Sequence, residues 1–413
     1  MVSLLRLPKS QPTGSFVAAL TPELPRPMAA PVAYRTCVIA HCRRPGCGAL
    51  RHRNWRDDRC INASPWAVAA AAAPTGFARR AAKRAGVSAV STEELATLGV
   101  FADVPPQNLA RLAANLKPLQ AVAGEVLMRQ GEPAVSFSII TSGRVEIRHT
   151  GPHGQVVATE LPSGTIVGEI ALLRHGPRTA TVIAKDDVRG YVGHNGAFEC
   201  MLAMPVMAER MVRTARQRLA AYIAPIPVWA ENGAGLLLRP VLPGDAERFQ
   251  SSGAFSRETL YRRYHGGAPA QARLAYLFEV DYVDHFVWVV TDGVDGPVIA
   301  DARFIRDEDD AASAEVALTV ADTYQGRRIG TLLLGALAVA ARVDGVERFH
   351  ARVLSDNPAA RALGDKVNAR WEQEEPGVVT ATGEIPALDD LPLDDDTRRQ
   401  IQHVAHQVIH AFD

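Results

Sequence analysis

A chain of 413 residues points to two or three domains rather than one, and its 47% apolar and 22% charged content is ordinary for a soluble globular protein. The zero net charge hides an asymmetry: residues 1–90 carry fourteen Lys/Arg against three Asp/Glu, and residues 91–413 carry thirty-one against forty-two. A mildly acidic body argues against a nucleic-acid partner, which would want a basic face. Five cysteines, four of them before residue 61, do not make a disulfide framework in a chain this long. No apolar run reaches membrane-span length and the start lacks a secretory signal, so a cytoplasmic protein without a membrane partner is the default expectation.

Residues 1–90, rich in Pro, Ala and Arg and without periodicity, read as a disordered or appended extension, or as a start site placed upstream of the real one. Cys37, Cys42, Cys47 and Cys60, with His41 and His52, lack the Cys-x-x-Cys knuckles of structural zinc, so no metal is expected. From Ser91 the texture changes. "STEELATLGVF" places Ser91 and Glu94 as a helix capping box, with short helices continuing to about Leu119. Apolar runs then recur roughly every ten residues between turn signals, the pattern of an antiparallel sandwich or barrel, and a helical segment spans about Val206 to Tyr222. "APIPVWAENGAG" reads as a Pro/Gly-rich linker over residues 223–235. Residues 236–383 alternate strands with helices as a layered α/β or α+β domain, and residues 384–413 close the chain as an amphipathic helical tail.

Two stretches carry chemistry. In "GEIALLRHGPRTATV", a short helical turn at Glu169 to Leu172 offers free N–H groups to an anion. Glu169 suits a ribose hydroxyl, Arg178 is a planar fork for two phosphate oxygens, and Thr179 adds a hydroxyl. The pair can grip a cyclic phosphodiester from both ends, although an arbitrary Glu–Arg pair of this spacing is usually a surface ion pair. The segment resembles the phosphate-binding cassette of the cyclic-nucleotide-binding domain, as do "VFADVPPQNLARLA", "GEVLMRQGEPA" and "ITSGRVEI". That resemblance covers residues 91–222. It implies a β-roll in which Gly168, Glu169, Ile170 and Ala171 meet ribose and phosphate, and Arg178 and Thr179 meet the phosphate. The helix that follows would lid the base of cyclic AMP or cyclic GMP.

In "AEVALTVADTYQGRRIGTLLLGALAVAARV", a strand leads through a loop into a helix, and the N–H groups of Gly326, Arg327, Arg328, Ile329, Gly330 and Thr331 suit a pyrophosphate. The layout resembles the acetyl-CoA signature of the GNAT acyltransferase superfamily. Gln325 and Gly330 match it, while Arg328 stands where its first glycine is expected. Because glycine is needed only for positive φ or a close backbone approach, Gly326 and Gly330 are expected to cover those needs, leaving the Arg328 guanidinium turned outward. The resemblance implies that the backbone of Leu318, Thr319 and Val320 pairs with the pantetheine arm, that Asn357 and Ala360 match the later cofactor motif, and that Lys366 faces a CoA phosphate. A lysine amine with a pKa of about 10.4 must lose a proton before it attacks a thioester. Glu315 is the candidate base against the plainer reading of a strand-edge charge, and a backbone N–H near Val320 is the candidate oxyanion donor. The tyrosine acid that related enzymes carry is replaced by Gly364, leaving solvent or Tyr324 for the thiolate. His285 reads as a strand flank rather than a base.

The fusion resembles the actinobacterial cyclic-AMP-regulated protein lysine acetyltransferases. That resemblance implies an α+β chain moving acetyl from acetyl-CoA to lysine Nε of protein substrates such as acyl-CoA synthetases, with cyclic AMP as allosteric effector. Two rival readings are a nucleotide-gated small-amine acetyltransferase and a non-catalytic nucleotide sensor whose GNAT domain has lost its cofactor through Arg328.

Overall fold

The capping pair at Ser91 and Glu94 works in one direction: the Glu94 N–H donates to Ser91 Oγ at 3.3 Å and starts the helix Thr92–Ala96. The Glu94 carboxylate turns away and accepts from the Tyr191 hydroxyl. The protein was described as a computed structural model covering residues 90–152, 154–231, 233–264, 278 and 280–412. The basic N-terminal stretch, with its cysteines and the question of zinc, lies outside the described residues.

Helix Pro106–Ala113 follows, and helical structure ends there: Leu116–Ala121 is strand β1 rather than the end of a helix. The strands continue as β2 (Val126–Met128), β3 (Ser136–Ser142), β4 (Val145–Thr150), β5 (Val156–Leu161), β6 (Thr165–Val167), β7 (Thr181–Ala184) and β8 (Val188–His194). They form two four-stranded antiparallel sheets ordered β1-β8-β3-β6 and β2-β7-β4-β5. The helix Glu169–Leu173 interrupts them between β6 and β7. One core lies between the sheets, built on Ile140, Val145 and Val182. A second packs Phe137 and Ile139 against the helices, including Met207 and Met211 of the helix Pro205–Ala220.

The expected linker is not wholly irregular. Within it Ile226–Trp229 forms β9, the edge of an eight-stranded sheet, because Ile226 and Val228 alternate inward onto a third core. The sheet adds β10 (Gly235–Pro240), β11 (His285–Thr291), β12 (Val298–Arg306), β13 (Ser313–Val320), β14 (Arg348–Leu354), β15 (Arg370–Glu375) and β16 (Val378–Glu384), ordered β15-β16-β14-β13-β12-β11-β10-β9. Strand β11, "HFVWVVT", is buried along its whole length, as an apolar run at the centre of a two-sided sheet should be. The parallel pair is β13 with β14, joined by the helix Ile329–Val343 as a crossover connection requires. That helix lies against the sheet through Leu333 and Leu337. Gly335 admits Leu393 so closely that an added Cβ would sit 2.9 Å from its Cγ.

The tail forms the helix Asp395–Ile409, capped by Asp394, which accepts from the Thr397 N–H at 2.9 Å. Its apolar stripe, Ile401, Val404, Ala405 and Val408, is buried in the third core, that of the eight-stranded sheet. The helix Pro205–Ala220 begins in one core and ends in another, with Met207 in the second and Ala220 in the third. Among the described residues no helix is long and apolar enough to cross a membrane.

Candidate functional site

The expected nucleotide residues come together around one small cavity. Gly168 adopts φ +85°, and a Cβ there would meet Arg178 Nη1 and the end of Met128 at 2.7 Å, so the position admits only glycine without rearrangement. It opens the turn that buries Glu169, Ile170 and Ala171. Arg178 is buried and donates from Nη1 to the Gly168 carbonyl at 2.9 Å and from Nη2 to the Ser136 carbonyl at 2.6 Å. Burial pushes its guanidinium below the usual arginine range, opposed by the charges of Glu169 and Glu132. Thr179 borders the same space, and its carbonyl accepts from His149 Nδ1 at 2.7 Å.

Two residues that the motif did not reveal complete this cavity. Arg218 donates from Nη1 to Glu169 Oε1 at 2.6 Å and to the Ile166 carbonyl at 2.6 Å, and from Nη2 to Thr165 Oγ1 at 2.7 Å. Tyr222 stacks on His149 with ring centroids 4.3 Å apart, and burial pushes its phenol up to about 12. The cavity they enclose is about 30 Å³, room for about one water molecule. A nucleotide held here would compete with the contacts that Arg218 and Arg178 now make.

The expected transfer residues also converge. β13 is paired with β12 from Ala314 to Val320, but with β14 only over Ser313, Ala314 and Glu315. Beyond Glu315 the two strands diverge, so the β14-facing edge of Leu318, Thr319 and Val320 is the open arm of a V. Glu315 and His350 form the last rung at its apex. The loop beyond β13 is tied back to it by Gln325 Nε2, which donates to the Val320 carbonyl at 3.0 Å. Thr331 and Lys366 meet directly, Lys366 Nζ donating to Thr331 Oγ1 at 2.8 Å. Asn357 is buried as the cap of the helix Pro358–Lys366, accepting from the Ala360 N–H at 3.2 Å. A cavity of about 70 Å³ opens under the V, bordered by Leu318, Thr331, His350, Leu363 and Lys366.

The loop corrects one expectation. Gly326 has φ +72°, as foreseen, but the second positive φ belongs to Arg328 at +62°, while Gly330 lies within the helix, where its missing Cβ would face Leu363 Cδ1 at 3.3 Å. Arg328 therefore occupies the left-handed conformation that the family's glycine would take without strain. Its side chain does turn outward, 77% exposed, and its Nε lies 3.3 Å from Glu231 Oε1. The Glu231 N–H donates to the Arg327 carbonyl at 3.3 Å, and the Arg327 guanidinium lies over the Tyr324 ring at 5.3 Å.

Both alternatives considered for proton transfer weaken. The Tyr324 hydroxyl donates to Asp292 Oδ2 at 2.6 Å, which raises its pKa and makes it a poorer acid. His285 is buried beside Arg303 and its pKa is lowered to about 3, so the neutral ring is a feeble base. A Cβ at Gly364 would strike Trp371 Cζ2 at 2.5 Å, leaving no place for a tyrosine.

A charge cluster invisible to motif reading lies on the Glu315 face of the sheet. Arg263, Asp301 and Arg303 are fully buried. Arg263 Nε donates to Thr319 Oγ1 at 2.9 Å, and Arg303 Nη2 to Asp301 Oδ2 at 2.7 Å. Both Nη atoms of Arg263 and Asp301 Oδ1 have no hydrogen-bond partner among the described residues. Arg303 faces Ala317, two pairs along from Glu315 facing Ile305, which makes Arg303 and Glu315 diagonal neighbours on one face, within reach of long side chains. Buried polar groups left unsatisfied are uncommon and concentrate at functional sites. The available signal was the charge alternation "ADAR" within a strand that is otherwise apolar up to Ile305.

Comparison with known proteins agrees with this division. The cyclic nucleotide-binding domain family matches residues 118–203 and the acetyltransferase (GNAT) domain family residues 235–370. Acetyltransferase Pat of Mycolicibacterium smegmatis is 50% identical over 329 residues, spanning 79% of this chain and 99% of its own length. A solved structure of a cAMP-binding acyltransferase from Mycobacterium smegmatis is 48% identical, covering 78% of this chain and 97% of that one, with a TM-score of 0.43. A CRP-like cAMP-activated global transcriptional regulator of Mycobacterium tuberculosis is 30% identical over 129 residues, 31% of this chain and 58% of its own length.

Proposed function

The chain belongs to the family of Acetyltransferase Pat, and from that premise we propose that it moves acetyl from acetyl-CoA to lysine Nε of protein substrates under the control of cyclic AMP. The observation that carries the reading is the apex of the V. Glu315, half-buried, stands on the last rung before β13 and β14 part, with the Gln325–Thr331 loop at the far end of the same strand. A thioester held along the open edge of β13 would bring its carbonyl toward this carboxylate, and Glu315 would take the proton of an incoming amine. Gly326 to Thr331 would receive the pyrophosphate, with Lys366 beside Thr331 for a further phosphate.

Gly168, Glu169, Ile170, Ala171, Arg178 and Thr179 would hold the cyclic nucleotide, Arg178 on the phosphate and Glu169 on the ribose. Acyl-CoA synthetases are the substrate class implied by the family resemblance. The experiment is acetyl transfer to a purified acyl-CoA synthetase, with and without cyclic AMP, beside a panel of free amines. Transfer to a protein lysine that responds to cyclic AMP is expected. Acetylation confined to free amines would overturn the substrate class, and no binding of acetyl-CoA by calorimetry would overturn the enzyme.

A further inference from the structure

The acetyl-transfer reading leaves the departing thiolate with solvent but no assigned side chain as proton donor, since Gly364 has no side chain and Tyr324 is committed to Asp292. His350 occupies the other half of the apex. It is the register partner of Glu315 across the parallel pair, so the two side chains rise from the same face of strands about 5 Å apart. Its Nε2 lies 3.0 Å from both carboxylate oxygens of Asp307, which follows the end of β12 and whose N–H donates to the Ser313 carbonyl at 3.0 Å. That anchor fixes the ring and leaves Nδ1 without a hydrogen bond among the described residues. His350 also borders the cavity that opens where the strands part. A ring nitrogen held by a carboxylate, with the other nitrogen left to exchange a proton, is the arrangement a general acid–base needs.

We infer that His350, held by Asp307, is the acid that protonates the leaving thiolate, in an inference that rests on the acetyl-transfer reading. The amine nitrogen attacks the thioester carbonyl carbon, a C–N bond forms, and the amine's proton passes to Glu315. The tetrahedral intermediate collapses, the C–S bond breaks with its electron pair on sulfur, and His350 donates the proton that makes the thiol. The proton on Glu315 passes to its neighbour on the rung and restores both groups. Counted from the neutral amine, after the ammonium has released one proton to solvent, one proton leaves nitrogen and one reaches sulfur in each turnover, so the cycle balances without a further reactant. Other charged groups around the ring have partners of their own: Arg348 pairs with Asp310, and Arg352 with Glu374 and Glu375. Glu384 faces Arg348 across β16, and Thr382 is the uncharged partner of His350.

The test is His350→Gln in the full chain, with Asp307→Asn as the milder variant and Glu315→Gln as reference. Acetyl-transfer kcat should fall about 100-fold in His350→Gln, the lower end of general acid catalysis, and less in Asp307→Asn. A binding measurement reads the same contact without turnover. Wild type should prefer CoA over desulfo-CoA in calorimetry, and His350→Gln should lose that preference while still binding desulfo-CoA. A kcat within twofold of wild type, or an unchanged preference for CoA, overturns the inference and leaves the acetyl-transfer reading standing. A wild-type chain that transfers no acetyl overturns both.

Discussion

The two ligand sites differ in how their polar groups are satisfied. Around the nucleotide cavity, Arg178 donates to Gly168 and Ser136, and Glu169 is held by Arg218. On the transfer face, Arg263 and Asp301 keep buried polar atoms without partners among the described residues, and Arg328 holds a strained φ. A ligand that must displace existing contacts couples its binding to movement, because its affinity reports the difference between two arrangements. A site with its charges fixed in advance has little to rearrange when the reaction begins.

The contacts in the first case continue beyond the cavity. Three consecutive residues of the helix Pro205–Ala220 grip both halves of the molecule. Arg216 donates to the Ile409 carbonyl at 3.2 Å and Gln217 to the Val280 carbonyl at 3.3 Å, while Arg218 reaches Glu169. Breaking the third contact perturbs the element that makes the other two.

The largest effect that would break this comparison is at Glu315. Glu315→Gln should lower acetyl-transfer kcat by about 10²- to 10⁴-fold, the range for general acid–base groups, and leave calorimetric affinity for cyclic AMP unchanged. Near-normal turnover would remove Glu315 from the chemistry. Lost nucleotide affinity would mean that the two sites are not separable.

Next in size is the ion pair between Glu169 and Arg218. Arg218→Met removes the partner of Glu169 while keeping much of the side chain's bulk. The ratio of turnover with and without cyclic AMP should then move toward one, by a factor within the roughly 5- to 150-fold span of allosteric coupling. A ratio equal to that of wild type would show that the Glu169–Arg218 contact is incidental to control.

What could be read from the sequence follows the same division. The two cassettes were legible because their candidate residues are close in sequence, Gly168 to Thr179 and Glu315 to Thr331. Arg218 and Tyr222 were not, since a helix brings them back from some forty residues away. The Arg263–Asp301–Arg303 cluster draws on a helix and a strand, and the Glu315–His350 rung on two strands separated by a crossover. Only register reveals such neighbours. Strand β9 hid in a segment whose prolines and glycines read as a linker, because its pairing with β10 supplies what its composition lacks.

Arg328 is the smallest expected effect and tests the second half of the comparison. A non-glycine residue in the left-handed region costs about 1–2 kcal/mol, so Arg328→Gly relieves strain in the folded state. The glycine also loosens the unfolded chain, which offsets about 0.4–1 kcal/mol of that gain. Losing the exposed contact to Glu231 removes at most about 1 kcal/mol more. These terms nearly cancel, and the melting temperature should barely move. Acetyl-CoA affinity is then a clean readout of the guanidinium itself. If Arg328 only faces Glu231, affinity should change by less than about threefold, and equally at low and high salt. A large gain in affinity for Arg328→Gly would show that the arginine obstructs the loop. A loss confined to low salt would show that it attracts the anionic cofactor, making the strained φ part of how the loop binds.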